Sequence, residues 1–161
     1  MERKIKKAAD GKYLRMAIEQ ARASVKKGGF PAGALVVKNG KIIARGISLG
    51  IKVNDPTGHA ESCAIRKACK ILKTINLNGA TLYGSLQPCL MCFSAASWAG
   101  ITRMVFGCKK SRAMISKGYY EGKTDIYKVN RQNNKQIKLV YRPDFERDSR
   151  HTVDCWEKRS K

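Results

Sequence analysis

Residues 59–61 read His-Ala-Glu, and residues 88–92 read Pro-Cys-Leu-Met-Cys. Each stretch stands where a helical pattern of apolar residues begins, and an apolar strand pattern at residues 80–86 lies between them. A hairpin pattern precedes both stretches, with Asn39-Gly40 as its tight turn. Strands that alternate with helices after a hairpin predict a mixed sheet covered by helices on both faces.

The remaining patterns extend this prediction along the chain. We expect a five-stranded mixed sheet in a three-layer α/β/α sandwich, which is an α/β fold. A single domain is expected over residues 1–161, with residues 109–161 as a divergent C-terminal region, because the pattern weakens there. Helices are predicted at 12–27, 59–72, 89–100 and 144–158, and strands at 33–37, 42–46, 80–86, 104–107 and 137–141.

The charge balance bears on possible partners. The chain has 33 Lys and Arg residues against 12 Asp and Glu residues, a formal net charge of +21. Such an excess favours a polyanionic partner such as tRNA or another nucleic acid. However, the basic residues are spread along the chain, and a generally lysine-rich composition explains them equally well. Charge alone therefore leaves the partner open.

Two further features bear on location. No apolar run approaches the ~20 residues that span a bilayer, so no membrane partner is expected. The basic N-terminus is not followed by an apolar signal-peptide stretch, which predicts a cytoplasmic protein. In that reducing compartment, Cys89 and Cys92 in a C-x-x-C are more typical of a metal or redox site than of a disulfide.

One imidazole and two thiolates form a candidate metal site. His59, Cys89 and Cys92 are the ligand types that Zn²⁺ prefers, and we predict one Zn²⁺ per chain. A structural zinc site has four protein ligands, but no second C-x-x-C is present, and the other histidine, His151, lies far along the tail. The open position predicts a catalytic site. Glu61, two residues after the histidine, is the candidate proton carrier.

Each motif alone has a simpler explanation, since a Pro-Cys-x-x-Cys also occurs as a thioredoxin-like redox pair. Together, H-x-E and P-C-x-x-C in this order form the signature of zinc deaminases. At these residues the chain resembles the cytidine deaminase-like superfamily, from about Lys12 to the tail. Residues 54–61 and 64–69 are most similar to bacterial guanine deaminases. The tRNA adenosine deaminases share the D-P-T-x-H-A-E core, and the yeast-type cytosine deaminases share the overall plan.

The resemblance implies a zinc-dependent hydrolase that releases ammonia from a nucleobase or nucleoside, and a homodimer. It implies that Glu61 transfers protons, that Phe30 packs against the base, and that the backbone N–H of Ala60 helps to orient the substrate. Relatives usually carry an asparagine eleven residues before the metal histidine, where its amide binds the substrate. Here that position is Ser48, whose single hydroxyl does not make the same paired contact.

Three functions follow from these residues. The first is a guanine-deaminase-like enzyme of purine metabolism that acts on a small-molecule base or nucleoside. The second is a tRNA-specific adenosine-to-inosine deaminase, which the net charge of +21 favours. The third belongs to another class, a non-catalytic nucleic-acid-binding module that uses zinc for stability; a carboxylate at Glu61 argues against it, because a structural site has no use for that group.

Overall fold

The computed structural model describes residues 1–160, apart from the side chains of residues 2, 3 and 5. Its strands are β1 (Phe30–Lys38), β2 (Lys41–Ser48), β3 (Thr81–Gly84), β4 (Arg103–Phe106) and β5 (Lys138–Tyr141). Its helices are α1 (Glu2–Lys26), α2 (Gly50–Val53), α3 (Ala60–Leu72), α4 (Leu90–Trp98), α5 (Arg112–Ser116), α6 (Ile126–Gln132) and α7 (Glu146–Arg159), with a 3₁₀ turn at Pro143–Phe145.

The five strands form one mixed sheet in the order β2-β1-β3-β4-β5. Strand β1 pairs antiparallel with both β2 and β3, whereas β3, β4 and β5 are mutually parallel. The hairpin turn lies at Asn39 and Gly40, both with positive φ. The predicted mixed five-stranded sheet is therefore confirmed.

Helices cover both faces of the sheet. On one face, α1 buries Leu14, Ala17 and Ile18 against β1, β3 and β4. On the other face, α3 packs the small side chains of Ala60 and Ala64 against β2 and β1, and α4 contributes Phe93 to the same core. This arrangement confirms the predicted α/β/α sandwich. None of the described helices is long and apolar enough to cross a bilayer.

Helix α1 differs from the prediction, because it begins at Glu2 instead of residue 12. The buried apolar positions of α1 begin near Leu14, so the hydrophobic periodicity of the sequence does not predict the first turns of the helix. A tertiary contact explains the extension. The buried Asp10 carboxylate accepts hydrogen bonds from Arg103 at 2.7 and 2.6 Å and from the Tyr83 hydroxyl at 2.9 Å. The sheet thus anchors a part of the helix that carries no hydrophobic signal.

The short helices α2, α5 and α6 lie outside the predicted elements. Each contains seven residues or fewer, too few for a helical repeat of apolar positions to stand out. The other boundaries shift by a few residues. In particular, α3 and α4 begin directly after His59 and Cys89, which are their N-cap residues.

A close approach of β2 to α3 positions the first of these N-termini. A Cβ added to Gly46 would lie only 1.9 Å from the carbonyl oxygen of Ala60 and 2.8 Å from the backbone nitrogen of Ala64. Only glycine fits there without a shift of backbone. The glycine therefore sets the height of the first turn of α3 above the sheet.

Candidate metal centre and active-site pocket

The three predicted metal ligands converge, because two helices begin at one end of the central strands. His59 caps α3, Cys89 caps α4, and Cys92 lies in the first turn of α4. The candidate ligand atoms of the three residues all lie within 4.8 Å of one another. Within residues 1–160, this is the one such His, Cys, Asp or Glu group of three or more.

Glu61 lies beside these three residues on the first turn of α3. It is only 5% exposed, and its Oε2 atom lies 3.5 Å from Cys92 Sγ. Cys92 Sγ also contacts the Ser62 hydroxyl at 3.4 Å, and Cys89 Sγ lies 3.5 Å from His59 Nδ1. The carboxylate is thus close to the candidate ligand set without belonging to it.

Burial and neighbouring charges change the acidity of this cluster. Desolvation by burial raises the pKa of Glu61 to about 7. The hydrogen bond with Cys92 is the largest cause that lowers the pKa of Cys89 to about 5, whereas the same contact raises the pKa of Cys92. The hydrogen bond with Cys89 raises the pKa of His59. Of the two sulfurs, Cys89 is therefore the one that ionises first.

The donor set fits Zn²⁺. One imidazole nitrogen and two sulfurs suit this ion, and three protein ligands leave one position open, as in catalytic zinc sites. A zinc ion bound there acts as a Lewis acid that acidifies a water molecule. Both N-termini direct backbone N–H groups toward the site, and Cys92 N–H donates to Cys89 Sγ at 3.5 Å. These N–H groups favour sulfur in its ionised form.

A cavity of about 650 Å³ opens above the cluster. His59, Cys89 and Glu61 lie in its lining, as do two of the three predicted substrate-contact residues, Phe30 and Ser48. Ala60 is fully buried and is not among the lining residues, so its side chain plays no part in the cavity. The prediction for its backbone N–H remains untested.

Ser48 is held in place by its own backbone. The Ser24 hydroxyl accepts a hydrogen bond from Ser48 N–H at 3.1 Å and donates one to the Ser48 carbonyl at 2.9 Å. The Ser48 side chain itself makes no hydrogen bond to any residue that the structure describes. Its hydroxyl is therefore available to a ligand in the cavity.

Three aromatic residues in the lining form an aromatic wall of the cavity. The rings of Phe30, Tyr119 and Trp156 pack edge to face, with centroid distances of 5.1, 5.3 and 5.8 Å. Tyr120 also lines the cavity and donates a hydrogen bond to the Gln87 carbonyl at 2.7 Å. Motif spacing does not reveal these tail residues. Their signal in the sequence is an aromatic cluster at 119–120 and one late tryptophan.

The side chain of Lys110 holds the loop that follows Tyr119 and Tyr120. Lys110 Nζ donates hydrogen bonds to the carbonyls of Gly122 and Thr124 and lies 5.5 Å from the Tyr120 ring centroid. Two acidic residues of the same region act as caps. Glu121 accepts from Leu90 N–H at 3.1 Å, and Asp125 accepts from the first turn of α6. Neither is among the residues that line the cavity.

Comparison with protein families decides the kind of site. The model of the cytidine and deoxycytidylate deaminase zinc-binding region matches residues 7–108, more than half of the chain. The chain belongs to this family. Membership in this deaminase family confirms the predicted superfamily, the zinc cofactor and, at the level of the family, the chemistry of a zinc-dependent hydrolase.

Relatives within the deaminase family act on two kinds of substrate. The tRNA-specific adenosine deaminase of Aquifex aeolicus is 38% identical over 106 residues, which cover 65% of this chain and 70% of that protein. The guanine deaminase of Bacillus subtilis is 48% identical over 88 residues, which cover 54% of this chain and 56% of that protein. The sequence matches thus span about half to two thirds of these relatives.

Solved structures of family members divide in the same way. A structure from a study of tRNA:A34 deaminases that edit A to I superimposes with a TM-score of 0.75 and 28% identity, covering 88% of this chain and 99% of that chain. The guanine deaminase structure from Bacillus subtilis gives a TM-score of 0.65 with 33% identity and covers 94% of both chains. Deaminase chemistry is therefore common to the relatives, and their substrates differ. The relatives support the tRNA alternative better than the prediction of a guanine-deaminase-like enzyme for a free base or nucleoside.

Proposed function

We propose that this chain removes the exocyclic amino group of a purine by hydrolysis, with His59, Cys89 and Cys92 holding Zn²⁺ and Glu61 transferring the protons. The observation that carries this proposal is the position of Glu61: a buried carboxylate in the cavity lining, 3.5 Å from a candidate zinc ligand. A pKa of about 7 allows the group both to accept and to donate a proton near neutral pH.

In the proposed reaction, different residues of the pocket have different roles. Glu61 accepts a proton from the attacking water and delivers it to the ring nitrogen beside the amino-bearing carbon, and then supports the departure of ammonia. The aromatic wall, which includes Phe30, holds the flat base. The Ser48 hydroxyl offers one hydrogen bond to the base. Each task uses a residue in or beside the same cavity.

Adenosine in tRNA is the first candidate substrate. Several curated relatives from different bacteria are tRNA-specific adenosine deaminases, and the net charge of +21 suits a polyanion. In this function the target base leaves its stack and enters the zinc pocket. The cavity of about 650 Å³ is large enough for one purine base.

Inosine formation tests this substrate. Zinc-loaded protein is incubated with an unmodified tRNA transcript whose anticodon begins with adenosine, and the nucleosides are separated after complete digestion. We expect inosine to accumulate with time and to be absent with the Glu61→Gln variant. If the zinc-loaded protein forms no inosine on a panel of such transcripts, tRNA is not its substrate.

Free guanine is the second candidate. A specific observation favours it: the Bacillus subtilis guanine deaminase structure matches 94% of this chain, including most of the tail that forms the aromatic wall. Ammonia release from guanine, adenine, cytosine and their nucleosides measures this activity directly. Turnover of guanine with no inosine in tRNA would assign the chain to the second candidate.

Replacing Ser48 tests the substrate contact in either case. We expect Ser48→Ala to lower kcat/KM by about 2- to 12-fold, the effect of losing one neutral hydrogen bond of about 0.5–1.5 kcal/mol. Thermal unfolding provides the control, because the Ser24 hydroxyl bonds only to the Ser48 backbone and the variant should keep its Tm. An unchanged kcat/KM would show that the hydroxyl does not touch the substrate.

Assembly and location stay predictions. A homodimer is expected from the family, and an apolar surface suits a second copy: Ile75 and Trp98 are 82% and 89% exposed, near the Leu77–Ala99 backbone hydrogen bond that joins their segments. Light scattering measures the oligomeric state. The cytoplasmic location and the single-domain extent of residues 1–161 likewise await direct tests.

A further inference from the structure

A second cavity, of about 230 Å³, lies between α1 and α7. Its lining includes the cationic side chains Arg22, Lys26 and Arg159, together with His151. No Asp or Glu belongs to the lining. We call this cavity, defined by Arg22, Lys26, His151, Trp156 and Arg159, the basic cleft.

The three cations of the basic cleft have no anionic partner among the side chains that the structure describes. Among residues 1–160, no ion pair or side-chain hydrogen bond involves Arg22, Lys26 or Arg159. Some other basic residues of the chain are paired, such as Arg103 with Asp10 and Lys117 with Glu157. Like charges around one concave surface repel one another unless an anion lies between them. The cleft is therefore complementary to an anion.

Trp156 connects the basic cleft with the active-site pocket. Its side chain lines both cavities, and its ring packs against Phe30 and Tyr119 on the pocket side. One indole therefore separates the place for the base from the cationic side chains. In a nucleotide, base and phosphate are likewise separated by a single ribose. Two cavities that share one lining residue therefore suit the two ends of a nucleotide.

We propose that the basic cleft binds a phosphate group of the substrate, so that Arg22, Lys26 and Arg159 hold a phosphodiester or phosphomonoester while the base lies over Glu61. The proposal rests on the proposed purine deaminase function for its second half. Guanidinium and ammonium groups are the standard phosphate ligands of proteins, and contacts of this kind position a nucleic acid without reading its sequence.

A basic character alone does not select this site. Arg45, Lys67 and Lys70 line another cavity, on the α3 face of the sheet, but Ile42, Ile43 and Ile71 share that lining. That cavity has no lining residue in common with the active-site pocket. Of these two cavities, the basic cleft is the one that shares a lining residue, Trp156, with the active-site pocket. Cations in and near that other cavity therefore provide the matched control for the basic cleft.

The experiment compares two triple variants that lose the same charge. The cleft variant loses the three cations of the basic cleft through the substitutions Arg22→Gln, Lys26→Gln and Arg159→Gln. The control variant loses three exposed cations in or near the other cavity through Lys41→Gln, Arg45→Gln and Lys70→Gln. Binding of an unmodified tRNA transcript is measured from 50 to 300 mM salt. Because each neutralised phosphate contributes about 0.7–0.9 to the slope of log K against log salt, and the cleft holds one phosphate, the first variant should lose about 0.7–0.9 in slope.

The control variant should keep nearly the full slope, and both variants should keep the wild-type Tm. Competition by adenosine 5′-monophosphate and by adenosine separates the two sources of phosphate. If the wild type binds the monophosphate more tightly than adenosine and the cleft variant does not, the cleft binds the phosphate of a mononucleotide. If the cleft variant loses affinity only for tRNA, the cleft binds a phosphate of a polynucleotide. Equal losses in both triple variants, or a loss in neither, would overturn the proposal.

These binding measurements need no turnover. If the protein deaminates no purine but the cleft variant still loses phosphate binding, the proposed function is wrong and the proposal of a phosphate site in the cleft is retained. If the wild type and the cleft variant deaminate tRNA with equal kcat/KM at 150 mM salt, the proposed phosphate site is wrong and the proposed function is retained.

Discussion

Glu61→Gln should lower kcat by about 10²- to 10⁴-fold, the range that a positioned general acid–base residue contributes. Glutamine has nearly the same shape but neither accepts nor delivers a proton at neutral pH. The side chain is buried beside Cys92 and is not one of the three candidate ligand residues, so zinc content and fold should stay at wild-type levels. Steady-state kinetics, metal analysis and thermal unfolding together check this result.

A matched control separates proton transfer from local charge. Glu121→Gln removes a negative charge near His59, but Glu121 is exposed and caps α4 outside the cavity lining. We expect this variant to keep kcat within a few-fold of wild type. Loss of folding or of zinc in Glu61→Gln would instead favour the non-catalytic zinc-stabilised module, because the carboxylate would then act through structure.

Removing a zinc ligand should abolish turnover altogether. Cys92→Ala takes away one of three ligands, and the loss should exceed the 10- to 100-fold drop in metal affinity that altered supporting contacts produce. The variant should therefore be isolated with little zinc and with activity at background. Chelation of the wild-type protein should have the same effect, reversed by added Zn²⁺.

Stability should fall together with the metal. At a zinc concentration a thousand times the Kd, binding to the folded state stabilises by about 4 kcal/mol, so chelation should lower Tm by about 8–16 °C for a chain of this size. Cys69→Ala is the control, because that half-buried cysteine lies in α3 outside the metal centre. Full zinc content and activity in Cys92→Ala would show that the metal lies elsewhere.

The zinc half of this site could be predicted from sequence because two short motifs carry it. His59 and Glu61 lie two residues apart at the start of α3, and Cys89 and Cys92 lie three residues apart at the start of α4, so local spacing brings together the members of each pair. The two pairs are 30 residues apart and meet only through the fold, which the resemblance to zinc deaminases implies. The mixed five-stranded sheet around them followed from the alternation of strand and helix patterns.

The other half of the site depends on contacts between distant parts of the chain. Trp156 meets Phe30 across 126 residues of sequence, and nothing in the local pattern of either residue shows that they pack together. The early start of α1 is a similar case, because the bond between Asp10 and Arg103 joins residues that lie 93 apart. Ser48 is predicted only through the family resemblance, since its own residue type gives no signal, and its contact with substrate stays a prediction.

The aromatic wall and the candidate metal centre come from different parts of the chain. The candidate metal ligands and Glu61 lie within residues 59–92, whereas two members of the wall, Tyr119 and Trp156, come from the tail beyond residue 108, where the family match ends. Substitutions in the tail can therefore change the shape of the cavity while the candidate metal ligands and Glu61 stay the same.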